Sequence, residues 1–293
     1  MTDAALERPT IRPARMPRPT AFDTSLLYRY AALLFVAGLV LVPLLATAMG
    51  GLKTIGELRT DPFGLPDSWV WSNYTDILTG HRFWEMLLNS LIIALLTVAL
   101  TVTTGAMVAF LFAHLTFFGD RYLLSYFMLG LLFPAATAIL PLFIKIRDLG
   151  LLDSYWGVVL PQAAFGLGLS ILLFRGFFRQ LPSDLLEAAL IDGCSYVRFF
   201  RSVTLPLSRP ILATVSVFIF VQSWNNYLLP LVMLNSDPMF PWPLGLMQFQ
   251  GEYMTNWPAL LAYVTLTIAP AILMFLLAQK HIVAGITAGA VKG

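Results

Sequence analysis

Two segments of this 293-residue sequence carry side chains that could take part in recognition or chemistry. The first, residues 181–210, reads "LPSDLLEAALIDGCSYVRFFRSVTLPLSRP" and sets three acids and three arginines among apolar residues. The second, residues 221–230, reads "VQSWNNYLLP" and places three amides within five residues. Carboxylates and arginines can form charged contacts with a partner protein, and amides can hydrogen-bond a polar solute. These residue types favour docking and solute contact over covalent chemistry.

Motifs of enzymatic chemistry are missing from the sequence. It contains no G-x-x-x-x-G-K-[ST], H-E-x-x-H or G-x-S-x-G pattern. The three histidines, His81, His114 and His281, fall in separate loops, and the single cysteine, Cys194, excludes an internal disulfide. A polytopic membrane enzyme or a proton-coupled carrier stays as the alternative class. The first would need a catalytic acid, base or metal set and the second an ionisable residue within the membrane, and neither is visible.

Composition places the chain in a membrane. It is 58% hydrophobic and 12% charged, with mean hydropathy +0.77, whereas soluble domains are about 25% charged. The net charge of +2 is too small to indicate a nucleic-acid partner. Segments without acidic or basic residues, each long enough for the ~20 residues that cross a bilayer, are 30–52, 86–113, 122–144, 154–174, 210–236 and 253–279. They lack the alternation of a membrane barrel, so the sequence predicts an all-α integral membrane protein with six transmembrane helices.

The distribution of lysine and arginine predicts the orientation. With the N-terminus inside, thirteen of these residues lie in inner segments and five in outer segments, so both termini are expected in the cytoplasm. The predicted organisation is a disordered cytoplasmic tail (1–29), the first helix, an external segment (53–82), a five-helix core (83–279) with a cytoplasmic loop (175–209), and a cytoplasmic tail (280–293). Ala46-Thr47-Ala48 resembles a signal-peptidase site, but the apolar run before it is long and contains Pro43. A retained helix is therefore expected.

Local signals predict two short helices within residues 181–210. Pro182, Asp184 and Glu187 suit the start of a helix, and Gly193 can adopt the left-handed conformation that ends one. Ser195 can cap a second helix, which Pro206 is expected to stop. Leu185, Leu186, Ala189 and Leu190 should form one apolar face. These signals alone fit an interfacial loop helix as well as a docking helix.

The stretch "EAALIDGCSYVRFFRSVTLP" resembles the EAA signature of permeases in ATP-binding-cassette (ABC) importers. The matching residues are Glu187, Ala188, Ala189, Asp192, Gly193, Val203, Leu205 and Pro206. Cys194 and Val203 depart mildly from the usual alanine and isoleucine. "WSNYTDIL" (71–78), "LNSLIIALLTV" (from Leu88) and "QKHIVAGITAGAVKG" (279–293) are similar to segments of the carbohydrate-uptake branch, the family of the maltose-transporter G subunit. Residues 181–210 are called the EAA segment below.

The resemblance implies a type I ABC importer permease fold in which the EAA segment carries a cytoplasmic coupling helix. It assigns ATPase coupling to Glu187, Ala188, Ala189, Asp192, Gly193, Leu205 and Pro206, and an ATPase-interface tail to Gly285, Gly289, Lys292 and Gly293. It implies a second homologous permease, two ATP-binding subunits, an extracytoplasmic solute-binding protein and a carbohydrate substrate. ATP would be bound by the partners, and this chain would need no cofactor. The expected location is the cytoplasmic (inner) membrane of a bacterium or archaeon, in contact with lipid.

A translocation pathway is predicted along the fifth helix. Gln222, Asn225, Asn226 and Leu229 would share one face of a continuous helix, with the rings of Trp224 and Tyr227 nearby. Amides at membrane depth are costly unless they are paired or face water, so hydrogen bonding between helices is an equal alternative. Gln162 and Asn89 are interpreted as packing residues. The stretch "FPAATAILPLF" (133–143) is a weaker candidate for the pathway, and the outer segment 237–252 could contact the binding protein or the membrane interface.

Overall fold

The computed structural model describes residues 24–251 and 254–290. In that part of the chain every regular element is helical, apart from an isolated antiparallel bridge between Gln250 and Thr255. The α-helices are α1 (Thr24–Gly50), α2 (Ile55–Thr60), α3 (Ser72–Thr79), α4 (His81–His114), α5 (Asp120–Leu129), α6 (Ile139–Asp148), α7 (Tyr155–Phe178), α8 (Ser183–Ile191), α9 (Tyr196–Phe199), α10 (Leu205–Leu207), α11 (Arg209–Trp224), α12 (Leu228–Met233), α13 (Trp242–Gly245) and α14 (Trp257–Ala290). Helices α1, α4, α7 and α14 are long and apolar enough to cross a membrane, and two bent helix pairs raise the number to as many as six.

The third predicted span, 122–144, is broken in the structure. Its halves, Asp120–Leu132 and Ala135–Asp148, meet at 98°. Phe133 is extended, with φ −84° and ψ 120°, because the proline that follows it disfavours a helical conformation. The flanking turns Gly130–Leu132 and Ala135–Ala138 are 3-10 helices. A continuous apolar run therefore contains irregular backbone near its middle.

The fifth predicted span, 210–236, is also interrupted, because α11 ends at Trp224. Asn225, Asn226 and Tyr227 connect α11 to the short helix α12. Pro230 accounts for the break, since proline cannot donate to the carbonyl four residues earlier and its ring clashes with that carbonyl. The predicted continuous helix through Asn226 is therefore wrong.

The last helix is longer in the structure than the sequence predicts. Helix α14 continues to Ala290, beyond the predicted end at residue 279, and contains Gly285 and Gly289. Lys292 and Gly293, and residues 1–23 of the predicted N-terminal tail, lie outside the described residues.

The chain divides into two compact units, residues 1–46 and residues 47–293. The described part of the first unit is most of α1, whose apolar side chains, such as Leu34 and Phe35, are exposed all round. That surface is typical of a helix in lipid or against another protein.

In the second unit α4 and α7 pack along most of their length because small residues let their backbones approach. A β-carbon at Gly105 would lie 3.1 Å from that of Ser170, and one at Gly166 would lie 3.1 Å from Cγ2 of Thr101.

The segment after α1 is held by a capping box at the start of α2. Oε2 of Glu57 accepts from the backbone N–H of Thr54 (2.7 Å), and Oγ1 of Thr54 accepts from that of Glu57 (3.2 Å). Oε1 of Glu57 also accepts from the backbone N–H groups of Asp67 and Ser68. The hydrogen bonds from Thr54 first, and then those from Ser68, lower the pKa of Glu57 from 4.5 to about 2.

We expect this segment to loosen in acid. A depressed carboxyl pKa stabilises the fold fully above the ordinary value of 4.5, and that contribution is lost as the pH falls through about 2. The protection factors of the Asp67 and Ser68 amides, the measured hydrogen–deuterium exchange relative to the intrinsic rate at each pH, should therefore fall several-fold across this window, and Glu57→Ala should show the low protection already at pH 7. Asp67→Asn is the control, because it leaves the backbone donors in place. Equal exchange in wild type and Glu57→Ala would contradict the assignment.

Candidate functional site

The EAA segment folds as the local signals predict at its centre. Helix α8 ends at Ile191, and the N–H of the capping residue Asp192 donates to the carbonyl of Ala188 (3.0 Å). Gly193 follows with φ +74°, the left-handed conformation that favours glycine. Oγ of Ser195 then accepts from the N–H of Arg198 and caps α9. The predicted glycine bend and serine cap are both confirmed.

Only part of the predicted apolar face of α8 is buried. Leu186 and Ala189 pack against the protein core, whereas Leu185 and Leu190 are about 40% exposed. Glu187 and Ala188 are exposed on the other side of the helix. Helix α8 is therefore anchored by two residues and leaves an acidic, small-residue surface open. The predicted coupling role of that surface stays a prediction at this point.

Pro206 does not stop the second helix, contrary to the expectation. A π turn at Phe200–Thr204 leads directly into α10, which contains Pro206, and the chain bends by 79° only at Ser208. The wider π turn explains this continuity, because it absorbs the backbone distortion that a proline imposes.

A cluster of aromatic and aliphatic side chains connects the EAA segment to the long helices. Phe110 and Phe112 of α4, Phe174 and Phe178 of α7, Phe199 of α9 and Ile211, Val215 and Ile219 of α11 belong to it, together with Ala106, Ala109 and Ile171. Leu186 and Ala189 of α8 pack against this cluster. Close-packed interiors transmit displacement rather than absorb it. A movement of α8 would therefore act on α4, α7 and α11 together.

A cavity of about 280 Å³ lies beside the break between α5 and α6. Its walls come from α4, α7, α11, α12 and the break itself, and its polar lining residues are Thr97, Gln162, Gln222, Ser223 and Asn226. Phe133, Phe165 and Phe218 supply aromatic surface. A neighbouring cavity of about 520 Å³ is lined almost entirely by apolar residues. Of these two neighbouring cavities, the smaller can therefore hydrogen-bond a polar solute.

The predicted pathway residues separate into two groups. Gln222 and Asn226 line the cavity, whereas Trp224, Asn225 and Tyr227 do not. Trp224 is buried, stacks on Phe220 with ring centroids 5.5 Å apart and donates to the carbonyl of Thr267 on α14. The side chain of Asn225 donates to the carbonyl of Val221 at the end of α11. Trp224 and Asn225 thus have structural contacts, and the shared face predicted for Asn225 is lost with the helix break.

Asn89 has the packing role that the sequence analysis gives it. Its Nδ2 donates to the carbonyls of Pro238 and Phe240, and its Oδ1 accepts from the hydroxyl of Tyr155. The outer segment is fixed further where the N–H of Trp242 donates to Oγ of Ser90. The first half of this segment is therefore attached to α4 and α7, and its second half, from Met247, is more exposed.

The sequence analysis did not predict that Gln162, Thr97 and Ser223 contribute to the lining of the smaller cavity. Oε1 of Gln162 accepts from the hydroxyls of Thr97 (3.3 Å) and Ser223. A glutamine in an apolar helix marks a candidate functional residue. The direction in which its side-chain amide points, however, depends on contacts from two distant helices. The weaker candidate segment 133–143 does contribute lining residues, among them Phe133 and Ala135.

Comparison with known proteins supplies independent information. Residues 101–287 match the family described as "binding-protein-dependent transport system inner membrane component". The chain is 36% identical to the diacetylchitobiose uptake system permease protein NgcG of Streptomyces coelicolor, over 89% of this chain and 87% of that protein. It is 35% identical to the trehalose transport system permease protein SugB of Mycobacterium tuberculosis, over 88% and 94%. Its structure is similar to a chain of a bacterial ABC transporter involved in the import of the acidic polysaccharide alginate, with a TM-score of 0.75 and 23% identity over 91% of this chain and 100% of that chain.

Proposed function

Because the chain belongs to the family of binding-protein-dependent transport system inner membrane components, we propose that it is a transmembrane permease subunit of an ATP-driven carbohydrate importer. The observation that carries this proposal is the family match over residues 101–287, which includes the EAA segment and every residue that lines the cavity except Thr97. The likeness in structure confirms the predicted fold class, that of an ABC importer permease. Diacetylchitobiose and trehalose, the solutes named for the two similar permeases, are both carbohydrates.

The proposed assembly has further subunits. A second, homologous permease would complete the pathway, an extracytoplasmic solute-binding protein would deliver the carbohydrate, and two separate subunits would bind ATP. The absence of a phosphate-binding loop motif from the sequence supports the view that this chain has no ATPase site. The excess of lysine and arginine in the inner segments supports an orientation with both termini in the cytoplasm.

The mechanism that we propose is alternating access. ATP-driven closure of the ATPase subunits would displace α8 through the exposed surface around Glu187. The cluster of aromatic and aliphatic side chains against which α8 packs would pass this displacement to α4, α7 and α11, which also form walls of the cavity. The cavity would then open to the two sides of the membrane in turn. In this scheme the chain binds and moves solute and performs no covalent step.

Purification of the assembly tests this function. The tagged chain would be extracted from its native cells in a mild detergent and all co-purifying proteins identified. We expect a second permease and an ATPase with a phosphate-binding loop, and ATP hydrolysis that rises when a carbohydrate-loaded binding protein is added. In the same cells, collapse of the proton gradient at constant ATP should spare carbohydrate uptake. A chain that purifies without any ATPase, or uptake that stops with the proton gradient, would contradict the proposal.

A further inference from the structure

The side chain of Gln162 has one polar atom without a partner. Gln162 is 7% exposed. Its Oε1 accepts two hydrogen bonds, but its Nε2 has no hydrogen-bond partner among the described residues. Exchanging the amide's oxygen and nitrogen does not remove this feature, because the hydroxyls of Thr97 and Ser223 would then accept and Oε1 would be left unpaired. A buried polar atom without a partner is costly and asks for an explanation.

Gln162, which carries this unpaired atom, is a lining residue of the 280 Å³ cavity. Gln222 and Asn226 bring two more amides to the same lining, and Oδ1 of Asn226 is already fixed by the N–H of Leu229. Three phenylalanine rings complete the wall. A few polar groups that converge within an aromatic surface are the usual composition of a small-molecule site. The volume of about 280 Å³ lies just below the ~300–1,000 Å³ typical of such sites, which suits one sugar ring rather than a whole oligosaccharide.

The broken span gives an independent reason to expect solute there. Irregular backbone at membrane depth is tolerated where it is buried in protein or lines a water-filled cavity. The break at residues 130–138 contributes Gly130, Phe133 and Ala135 to this cavity. Discontinuous membrane helices of this kind form substrate sites in many transporters. The helix break and the unpaired amide therefore point to the same place.

We propose that this cavity is a binding subsite for one ring of the translocated carbohydrate, in which the amide of Gln162 hydrogen-bonds a sugar hydroxyl. Thr97 and Ser223 position the amide by donating to its oxygen. Gln222 and Asn226 offer further hydrogen bonds, and Phe165 offers an apolar face to the C–H groups of the ring. This inference rests on the proposed function and gives this subunit a direct part in holding the solute.

The test measures carbohydrate transported per ATP hydrolysed by the complete complex in lipid vesicles. The probe is radiolabelled trehalose, with radiolabelled maltose and diacetylchitobiose in parallel. Gln162→Met keeps the length of the side chain and removes the amide. We expect it to lower transport per ATP about fivefold to tenfold, as loss of one or two hydrogen bonds allows, while the binding protein still stimulates ATP hydrolysis. Ser170→Ala is the matched control, since Ser170 is a buried polar residue on α7 that bonds only the carbonyl of Gly166 and lies outside the cavity.

The possible outcomes distinguish a failure of the proposed subsite from a failure of the proposed function. Unchanged transport per ATP in Gln162→Met would overturn the subsite and leave the proposed function standing. An equal fall in transport and in ATP hydrolysis would show a purely structural role and would also overturn it. If the co-purifying binding protein retains no carbohydrate and the unaltered complex takes up none of the three sugars, the proposed function is contradicted and the subsite with it.

A second measurement applies if Gln162→Met does not assemble. The chain has a single cysteine, so Ala135→Cys in a Cys194→Ser background gives one thiol in the cavity wall. We expect a charged, water-soluble thiol reagent to label it, and the transported sugar to slow the labelling at least about threefold. Absence of labelling, or labelling that no transported sugar slows, would overturn the subsite.

Discussion

Replacing Glu187 with lysine is expected to abolish carbohydrate uptake while the subunit still folds and reaches the membrane. The fold should tolerate the change because Glu187 is exposed on α8 and its side chain has no hydrogen bond or ion pair with another described residue. Leu186 and Ala189, which anchor α8, are untouched. The substitution should therefore disrupt the contact with the proposed ATPase subunit and leave the fold intact.

The expected size of the loss of uptake follows from the free-energy cost of disrupting a charged contact at an interface. Removing one partner of a buried, hydrogen-bonded charge pair costs about 2–5 kcal/mol, and reversal of the charge adds repulsion. Uptake should fall more than ~30-fold, since each 1.4 kcal/mol is about tenfold. The isosteric change Glu187→Gln keeps the shape and should give an intermediate loss.

Uptake, subunit assembly and ATP hydrolysis should be measured in the same preparations. We expect Glu187→Lys to weaken co-purification of the ATPase and to remove stimulation by the binding protein. Gln180→Lys is the control, because it places the same charge on an exposed residue just before α8. Normal uptake by Glu187→Lys at normal expression would count heavily against the coupling role of the EAA segment.

The largest expected effect on stability comes from Gly157→Val at the start of α7. A β-carbon at this position would lie 2.4 Å from the backbone oxygen of Leu151. That oxygen also accepts from Oγ of Ser154, which caps α7. The backbone between Leu149 and Ser154 would therefore have to move, because no side-chain rotation can relieve a clash with a carbonyl.

This displacement would extend to the outer loop through Asp153. The Ser236 hydroxyl donates to the carboxylate of Asp153, as do the backbone N–H groups of Ser236 and Asn235, and these bonds, the one from the hydroxyl first, lower the Asp153 pKa. Asp153 itself has φ +55°, which the surrounding hydrogen bonds must maintain. Loss of this arrangement would detach the loop that follows α12 from the start of α7.

Gly157→Val should destabilise the subunit by about 1–3 kcal/mol, the usual cost of overpacking. Thermal unfolding in detergent, followed by size-exclusion chromatography of the fluorescently tagged protein, would measure the change. Gly176→Val is the matched control, because Gly176 lies on the same helix and a β-carbon there meets nothing within 4 Å. If the two variants unfold at the same temperature, a clash with the backbone oxygen of Leu151 is not the reason that glycine is needed at position 157.

Much of the fold and of the EAA segment could be predicted because their signals are local. Apolar length identified α4, α7 and α14 as membrane helices, and the residue types around Gly193 identified the bend after α8. The wrong predictions fell on prolines. Pro134 and Pro230 break apolar runs that were read as continuous helices, whereas Pro206 does not end the helix that it was expected to stop.

The sequence by itself determined the membrane class, the EAA segment and the bend and helix cap within that segment, because hydropathy and helix-end chemistry act between near neighbours in the chain. Only the tertiary structure decided that Gln162 is a cavity residue. Its carbonyl oxygen is held by hydroxyls 65 and 61 positions away, on α4 and α11. A sequence pattern shows which amides lie in apolar helices, but whether an amide atom is left unpaired depends on which distant helices pack against it.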